Sequence, residues 1–394
     1  MNETPQSFRS KMGLLLLVTG IFFLNFLARI LPAPLMPTIE YDLGLDHAGA
    51  GSFFLLISLG YCTSLVGSGY LSRWLTHRKT IALSSVAIGA ALLIVAAGNT
   101  HWAINLGLVI LGLAAGAYLP SGITVITSSI KAGNWGKAIA VHEMAHSIAY
   151  IVAPLISEFL LQWYTWQGVL ASIGAASILL GLLFFRLGRG GDFKGEPPNF
   201  GNVNALMKQP SFWIMAIFFS VGIATSMGVF SMLPLYLVAE RGFERNYANT
   251  ILGLSRIPAI IMALFAGWVS DRLGPKKTMK IVLTFNGIMT ILLGIVPGDW
   301  VLLMVFLQPM LSNCFFPAGF TMLSGISPPN ARNVAISITI FFAYLAGAGL
   351  IPAGMGILGD AGHFALAIAL VGGLILISVV LFRFLRYDEM GRLY

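Results

Sequence analysis

The chain contains very few charged residues and almost no cysteine. Only 10% of its 394 residues are charged, while 57% are hydrophobic. A water-soluble protein of this length keeps far more charge on its surface. The two cysteines, Cys62 and Cys314, lie in apolar runs without CxxC spacing, so they provide no disulfide framework. The composition excludes a soluble globular or disulfide-rich protein and indicates a membrane protein.

Long runs of apolar residues recur along the whole chain. Polar and Pro/Gly-rich segments separate twelve runs, most of them near the roughly 20 residues that cross about 30 Å of hydrocarbon. The predicted spans are 12–34, 48–71, 79–98, 102–129, 137–161, 165–186, 211–238, 247–270, 278–297, 300–325, 333–358 and 362–386. The sequence therefore predicts an all-α integral membrane protein with 12 transmembrane helices. The first run has no small-residue cleavage site, so we expect a retained span.

The basic residues predict the orientation. If both termini and the loops after even-numbered spans are cytoplasmic, that side holds nineteen of the 23 Lys and Arg residues. The opposite side keeps only Arg241 and Arg245, as the positive-inside rule requires. The net charge of +8 thus indicates membrane topology rather than a nucleic-acid partner, because no basic patch is interleaved with aromatics. We expect a multi-pass, monomeric protein in a cell membrane and, more specifically, in a bacterial inner membrane.

The two halves of the chain resemble each other. A polar, Gly/Pro-rich connection, 187–210, separates a first half, 1–186, from a second half, 211–394. The loop GYLSRWLTHRKT (69–80) and the loop GWVSDRLGPKKT (267–278) share Gly, Ser, Leu, a basic pair and Thr at an offset of 198 residues. Duplication of six-helix halves is typical of secondary transporters.

The second repeated loop carries a family motif. Its motif residues are Gly267, Asp271, Arg272, Gly274, Lys276 and Lys277. They resemble the G-x-x-x-D-R-x-G-R-R loop of the major facilitator superfamily. The resemblance implies two pseudo-symmetric six-helix halves around a central cavity, with a conformational latch formed by Gly267, Asp271 and Arg272. The first loop has Arg73 and Trp74 at the motif's Asp and Arg positions, so a loop that serves only topology is the alternative there.

Two arginines lie inside predicted spans, where a charge is costly unless it faces a cavity or a partner. Arg29 lies about 17 residues into span 1, with Asn25 one turn before it on the same face. This segment resembles the first span of organic-anion members of the superfamily, which implies substrate contact. Those members often have Asp where this chain has Ala28. The alternative is an arginine that snorkels to the outer headgroups.

Arg256 lies about ten residues into span 8, near the bilayer centre. No acid occupies the i±3 or i±4 positions, so no local ion pair neutralises it. Its planar guanidinium suits a carboxylate or phosphate. We predict that Arg256 binds an anionic substrate. The alternative is a structural pair with an acid on another helix, for which Glu143 is the obvious choice.

Span 5 contains the string His142-Glu143-Met144-Ala145-His146, which matches the H-E-x-x-H zinc-protease pattern. A zinc enzyme needs a third protein ligand, and none is apparent because the other four histidines lie near membrane edges. On a helix, His142, Glu143, His146 and Tyr150 share one side. We predict that Glu143, with His142 or His146, carries a proton. A permanent salt bridge, a transported metal and a protease remain alternatives.

Three uncharged residues are weaker substrate-binding candidates: Tyr118 in span 4, and Gln308 and Asn313 in span 10. For each, a helix–helix hydrogen bond is the alternative. Span 5 also carries Ala or Ser at the glycine positions typical of antiporter members, and Leu108 replaces their span 4 arginine. These departures count against a drug/proton antiporter.

Together, these features predict a secondary transporter that moves a small organic anion with protons by alternating access. We expect neither enzymatic activity nor a cofactor. The alternative is an exporter of amphipathic compounds or metal chelates. An ATP-driven pump is not indicated, because no G-x-x-x-x-G-K-[ST] motif occurs.

Overall fold

The structure, a computed structural model, describes residues 8–188, 190–195, 206–326 and 332–385. These residues form twelve helical stretches long and apolar enough to cross a membrane. Spans 1 to 6 are Arg9–Leu43, His47–Leu75, His77–Ala97, His101–Ser129, Ala132–Leu161 and Trp166–Leu187. Spans 7 to 12 are Pro210–Ala239, Arg245–Leu273, Pro275–Ile295, Trp300–Ile326, Val334–Asp360 and Phe364–Arg383. The predicted all-helical architecture with twelve membrane spans is confirmed.

Span 1 is longer than the sequence predicted. Its expected end near residue 34 rested on a run of prolines, yet a second helical segment, Pro32–Leu43, continues the span. Pro32 takes the first position of that segment, where a backbone N–H has no intrahelical partner in any case. The prolines therefore begin a new segment instead of ending the span.

The chain folds into two compact units, one formed by residues 1–35 and 56–198 and the other by residues 36–55 and 199–394. Hydrogen bonds account for the place of residues 36–55 in the second unit. The carboxylate of Asp360 accepts the backbone N–H groups of His47 and Ala48, at 2.7 and 2.9 Å. Arg245 Nη1 also donates to Thr38 Oγ1 at 2.9 Å. The second unit therefore includes a segment from a distant part of the sequence.

The 198-residue repeat is also a repeat of helix packing. In the first unit, Gly89 of span 3 and Gly174 of span 6 meet so closely that a Cβ on either would crowd the other's carbonyl oxygen. In the second unit, Gly287 of span 9 and Gly372 of span 12 make the same contact. Each residue of the second pair lies 198 positions after its counterpart. Small residues at such crossings let helix backbones approach in lipid.

The repeated loops fasten equivalent helix ends. Arg78 Nη2 donates to the carbonyl oxygen of Phe185, near the end of span 6, at 2.7 Å. The residue 198 positions later, Lys276, donates through Nζ to the carbonyl of Leu385, just after span 12, at 2.8 Å. The basic residues of these loops therefore satisfy carbonyls at helix C-termini, in addition to any role in topology.

Thr76 occupies a strained position in the first repeated loop. Its φ is 108°, and it is the one non-glycine residue with positive φ among the residues described. The equivalent residue of the second loop is Gly274, with φ 82°, which glycine adopts without penalty. The duplicated backbone turn is therefore kept in both loops, although only the second has the residue that suits it.

Thr76→Gly is expected to stabilise the protein by about 1 kcal/mol. Relief of the backbone strain at this position outweighs the higher conformational entropy that glycine gives the unfolded chain. The long 3.4 Å contact from the Lys79 N–H to Thr76 Oγ1 adds little to oppose this. Thermal unfolding in detergent measures the effect as a higher melting temperature. Gly274→Thr is the matched control and should lower it. A melting temperature that falls in Thr76→Gly would contradict the strain argument.

Four spans are interrupted at a proline. In spans 1, 4, 8 and 10 a helical segment ends at Ile30, Gly116, Leu254 and Asn313, four residues before Pro34, Pro120, Pro258 and Pro317 respectively. Proline has no N–H for the carbonyl at i−4, and its ring clashes with that carbonyl. Pro154 and Pro309 lie within continuous segments, so proline is not sufficient for a break. The breaks place several candidate site residues at segment ends.

The beginning of the predicted connection between halves is packed onto the first unit. Within residues 190–195, Asp192 Oδ2 pairs with Arg78 Nη1 at 3.1 Å. Backbone hydrogen bonds link His77 N to Phe193 O, Arg78 N to Gly191 O and Gly195 N to Ser72 O. Gly190 and Gly191 supply positive φ values of 98° and 80°. This docked linker segment (190–195) thus gives the first repeated loop a carboxylate partner that its own motif lacks.

Candidate functional site

Arg29 is buried in the first unit beside aromatic rings. Its exposure is 2%, and it lies in the last turn of the segment that ends at Ile30. The guanidinium carbon is 4.8 Å from the ring centroid of Phe26 and 4.4 Å from that of Tyr61. Such cation–π contacts stabilise a desolvated arginine. The charge is held inside the protein instead of snorkelling to the surface.

Arg256 is buried in the second unit, also to 2% exposure. It is the first residue of the segment Arg256–Leu273, which follows the break in span 8. Its guanidinium carbon lies 4.8 Å from the ring centroid of Phe230 in span 7. The preceding segment ends at Leu254, two residues before it. The guanidinium charge therefore lies at a break in the helix, about ten residues into a membrane span.

The two arginines have a related setting in their units. Each lies within two residues of a proline-dependent break and contacts a ring on the neighbouring span of its own unit. In the first unit the arginine is on the first span and the ring on the second. In the second unit this order is reversed. Broken helices in transporters place polar groups at membrane depth, where a binding site needs them.

His142 lies at the centre of a polar cluster in the first unit. Its ring is fully buried and stacks on Phe22 of span 1, with centroids 4.2 Å apart and planes at 10°. Nδ1 is 3.0 Å from Glu143 Oε1, and Nε2 is 3.0 Å from the Tyr118 hydroxyl. Tyr118 Oη also donates to the carbonyl of Val18 at 2.9 Å. We call His142, Glu143 and Tyr118 the span 5 cluster.

The other side chains of the predicted polar side of span 5 have different environments. The Glu143 side chain is 51% exposed. His146 is half-buried and meets the Phe26 ring edge to face, with centroids 4.1 Å apart. Tyr150 is buried and packs against the same Phe26 ring at 5.1 Å. Most of this side therefore packs on span 1, whereas Glu143, the acidic residue among these four, is largely exposed.

Two predicted substrate-binding amides satisfy backbone carbonyls. Asn25 Nδ2 donates to the Ala115 carbonyl, beside the break in span 4, at 3.0 Å. Gln308 Nε2 donates to the Thr225 carbonyl, inside the π-helical segment Ala224–Gly228 of span 7, at 2.9 Å. Both side chains are buried. These contacts support the helix–helix alternative given for Gln308 and a similar part for Asn25.

Asn313 differs from these two amides. It is the last residue of its segment before the break in span 10, and it is half-buried. Its side chain makes no hydrogen bond within the described part of the chain. Of the uncharged candidates, Asn313 has the side chain most available to a ligand.

The predicted latch residues lie on an open surface. Arg272 stacks over the Trp268 ring at 4.2 Å, and a Cβ on Gly267 would meet nothing within 4 Å. Asp271 is exposed, and it has no ion pair with any residue that the structure describes. The role of Asp271 as the centre of a latch therefore stays a prediction.

Metal binding finds no support in this geometry. Within the described ranges, no group of three His, Cys, Asp or Glu side chains is placed to hold a metal ion. Both ring nitrogens of His142 already have hydrogen-bonding neighbours in the span 5 cluster. The H-E-x-x-H string is instead part of a helix-packing and hydrogen-bonding surface.

Sequence reasoning missed the aromatic partners of the charged residues. Phe22, Phe26 and Arg29 follow the i, i+4, i+7 spacing of one helix face, which could have predicted that they form one stripe. Tyr61 and Phe230 carry no local signal, because each meets its arginine from a different helix. The sequence likewise did not predict that Asp192 pairs with Arg78, because Asp192 lies in the segment 187–210, which was predicted only to connect the two halves.

The fold and the broken, charged spans define a membrane transporter. The chain belongs to the Major Facilitator Superfamily, whose family model matches residues 18–258 and 245–393. The fold agrees with that of a bacterial homolog of the human lysosomal transporter Spinster, described as inward-facing and occupied, at TM-score 0.84 and 15% identity over 99% of each chain. Because this family consists of transporters and not enzymes, the zinc-protease interpretation of the span 5 string is excluded.

Curated relatives differ in what they carry. The chain is 26% identical over 317 residues to the multidrug resistance protein MdtG of Enterobacter lignolyticus, covering 76% of this chain and 75% of the relative. It is 22% identical to the gallate transporter of Pseudomonas putida, over 68% of each chain. It is also 22% identical to the human voltage-gated purine nucleotide uniporter SLC17A9, over 60% of this chain and 58% of the relative. These relatives do not agree on a substrate.

Proposed function

We propose that the chain is a secondary transporter that moves a small organic anion, a carboxylate, together with protons. The observation that carries this proposal is Arg256, a guanidinium at 2% exposure that begins a helical segment inside a membrane span. A charge at this depth is costly. An anion bound beside Arg256 would lower that cost.

Arg29 is the candidate for contact with an anion in the first unit. Its guanidinium is as deeply buried as that of Arg256, and the rings of Phe26 and Tyr61 hold its plane. A guanidinium fixed in this way loses less side-chain freedom when it binds a carboxylate. Asn313 is the uncharged residue that would best add a hydrogen bond.

Glu143 and His142 would carry the proton, with His146 nearby. The exposed face of Glu143 gives protons a route to the buried ring of His142, which lies 3.0 Å away. Protonation of the Glu143 carboxylate would favour closure around the bound anion. That dependence would couple proton movement to anion movement. Ionisable side chains within spans are typical parts of proton relays in transporters.

Two relatives support an anionic substrate, because gallate and purine nucleotides both carry negative charge. The alternative is export of amphipathic compounds, which the similarity to the multidrug resistance protein MdtG favours. An amphipathic cation would find no counter-charge in Arg256. The dependence of transport on Arg256 therefore separates the two functions.

The test uses proteoliposomes with an internal pH dye and a panel of mono- and dicarboxylates added outside. At least one acid should acidify the lumen of vesicles that contain the wild type. Glu143→Gln should still bind the anion but lose the proton movement. Glu244→Gln, a change at an exposed acid in the turn before span 8, is the matched control and should behave as wild type. If no anion moves protons in the wild type, the proposal fails and drug efflux becomes the function to test.

A further inference from the structure

The hydroxyl of Tyr118 stands between two groups in the interior of the first unit. Tyr118 is the first residue after the break in span 4, and it is fully buried. Its oxygen lies 2.9 Å from the carbonyl oxygen of Val18 and 3.0 Å from Nε2 of His142. A phenol has one hydrogen to donate, while a carbonyl oxygen can only accept.

The hydrogen of Tyr118 therefore points to Val18. If it pointed to His142 instead, the phenol and carbonyl oxygens would face each other at 2.9 Å with no hydrogen between them. With the phenol hydrogen committed to Val18, Nε2 of His142 must carry a hydrogen and donate it to the phenol oxygen. Tyr118 thus fixes which nitrogen of the neutral ring is protonated.

This arrangement creates a binding site for one proton between Nδ1 of His142 and the carboxylate of Glu143. Nδ1 of a neutral ring protonated on Nε2 has a lone pair, and this lone pair would face the carboxylate of Glu143 at 3.0 Å. Two acceptors at that distance repel each other, so a proton bound between them is strongly favoured. The proton can lie on the ring or on the carboxyl, and in either case the pair holds one proton more than the separate neutral ring and carboxylate.

We propose that Tyr118 is a positioning residue that makes His142 and Glu143 a site for one additional proton. Phe22 assists, because its stacked ring holds the imidazole plane in register with both neighbours. That this proton is the one coupled to anion movement rests on the proposed function. The proton site itself does not depend on any substrate.

Few other ionisable groups face the site. The helical elements packed on span 5 are spans 1, 4 and 6 and the turn Ala132–Asn134. Span 4 contributes Tyr118, and span 1 contributes Phe22 and the Val18 carbonyl. The one ionisable side chain of span 6 is Arg186, near its end. Span 5 itself adds His146, Lys137 and Glu158, and span 1 adds Lys11 and Arg29. Tyr118 acts on proton binding through its hydrogen bond to His142.

Tyr118→Phe should free the ring to place its hydrogen on Nδ1. That hydrogen would then bond to the Glu143 carboxylate without any additional proton. We expect the affinity of the pair for the additional proton to fall at least about tenfold, which is a shift of about one pH unit in its titration. The pH profile of transport should move to more acidic values by a similar amount.

The measurement is solid-state NMR of full-length protein in lipid bilayers, with 15N-labelled histidine and no substrate. The chain has six histidines, and comparison with His142→Gln assigns the signals of His142. In the wild type, Nε2 should remain protonated throughout a pH titration, while uptake of the additional proton by the pair changes the signal of Nδ1. Tyr118→Phe should show a neutral ring protonated on Nδ1 and a lower titration midpoint. Tyr150→Phe is the matched control, since Tyr150 contacts Phe26 and His146 instead of His142.

A neutral wild-type ring with its hydrogen on Nδ1 would overturn the proposal, as would an unchanged titration in Tyr118→Phe. Glu143→Gln gives a second test that does not alter Tyr118. Its amide can donate to Nδ1, so the ring should stay neutral and protonated on Nε2, and a hydrogen on Nδ1 would overturn the proposal. Because no substrate is present, failure here leaves the anion assays unaffected, and failure of those assays leaves this titration interpretable.

Discussion

Arg256→Gln is expected to lower anion uptake about 100-fold while the protein still folds. Loss of charge-assisted hydrogen bonds to a carboxylate costs about 1.5–3 kcal/mol, and about 2.7 kcal/mol corresponds to a hundredfold change in binding. Glutamine keeps much of the volume beside Phe230, so packing around the site changes little. Initial rates over a range of anion concentrations, together with the melting temperature, would measure the effect.

Arg256→Lys separates charge from shape. Lysine keeps the positive charge but lacks the planar fork that binds a carboxylate at two points. We expect an intermediate loss of about tenfold in affinity, because lysine keeps the charge but loses one of the two hydrogen bonds to the carboxylate. Arg73→Gln removes a charge from an exposed residue in the last turn of span 2 and should leave uptake unchanged. Wild-type uptake by Arg256→Gln would show that the anion does not bind at this arginine.

Gly112→Val is expected to prevent stable folding of the first unit. A Cβ at Gly112 would overlap the Ile57 carbonyl oxygen and lie 2.8 Å from the backbone nitrogen of Tyr61. Both obstacles are backbone atoms, so side-chain rotation cannot relieve the clash. Overpacking of this kind typically costs about 1–3 kcal/mol, and a branched side chain at a backbone contact should exceed that range.

Expression level and the melting temperature in detergent would measure this loss. Gly112→Ala should show a smaller decrease in the same direction. Gly13→Ala is the control, because a Cβ there meets nothing within 4 Å and alanine favours the helix. If Gly112→Val were as stable as wild type, spans 2 and 4 could not cross as closely as described. The crossing matters for function, since it sets the position of Tyr61 beneath the guanidinium of Arg29.

The twelve spans and the duplication were predictable because they depend on signals spread over many residues. Hydrophobic runs of sufficient length identify helices in a membrane whatever their exact packing. The shared pattern of the loops 69–80 and 267–278 then predicted the repeat that Gly89 with Gly174 and Gly287 with Gly372 now show in three dimensions. The family followed from the same loop and is confirmed.

The contacts of the candidate site were less predictable, because they join residues from separate helices. The sequence brought His142 and Glu143 together as chain neighbours, but the meeting of His142 with Tyr118 and Val18 depends on how three helices pack. Tyr118 was therefore predicted as a substrate contact, and its hydroxyl is engaged by Val18 and His142. The docking of Asp192 on Arg78 has the same cause, since it needs backbone hydrogen bonds that no side-chain pattern reveals.

The four prolines beyond the breaks have a permanent chemical consequence. The carbonyls of Ile30, Gly116, Leu254 and Asn313 face a residue at i+4 that has no amide hydrogen. No rearrangement of the helices can supply that hydrogen, because its absence is covalent. Whichever side of the membrane the protein opens to, these four oxygens stay unable to form the regular helical bond. At four places in its membrane spans, the protein therefore keeps a carbonyl oxygen that needs a hydrogen-bond donor other than the amide at i+4 throughout the transport cycle.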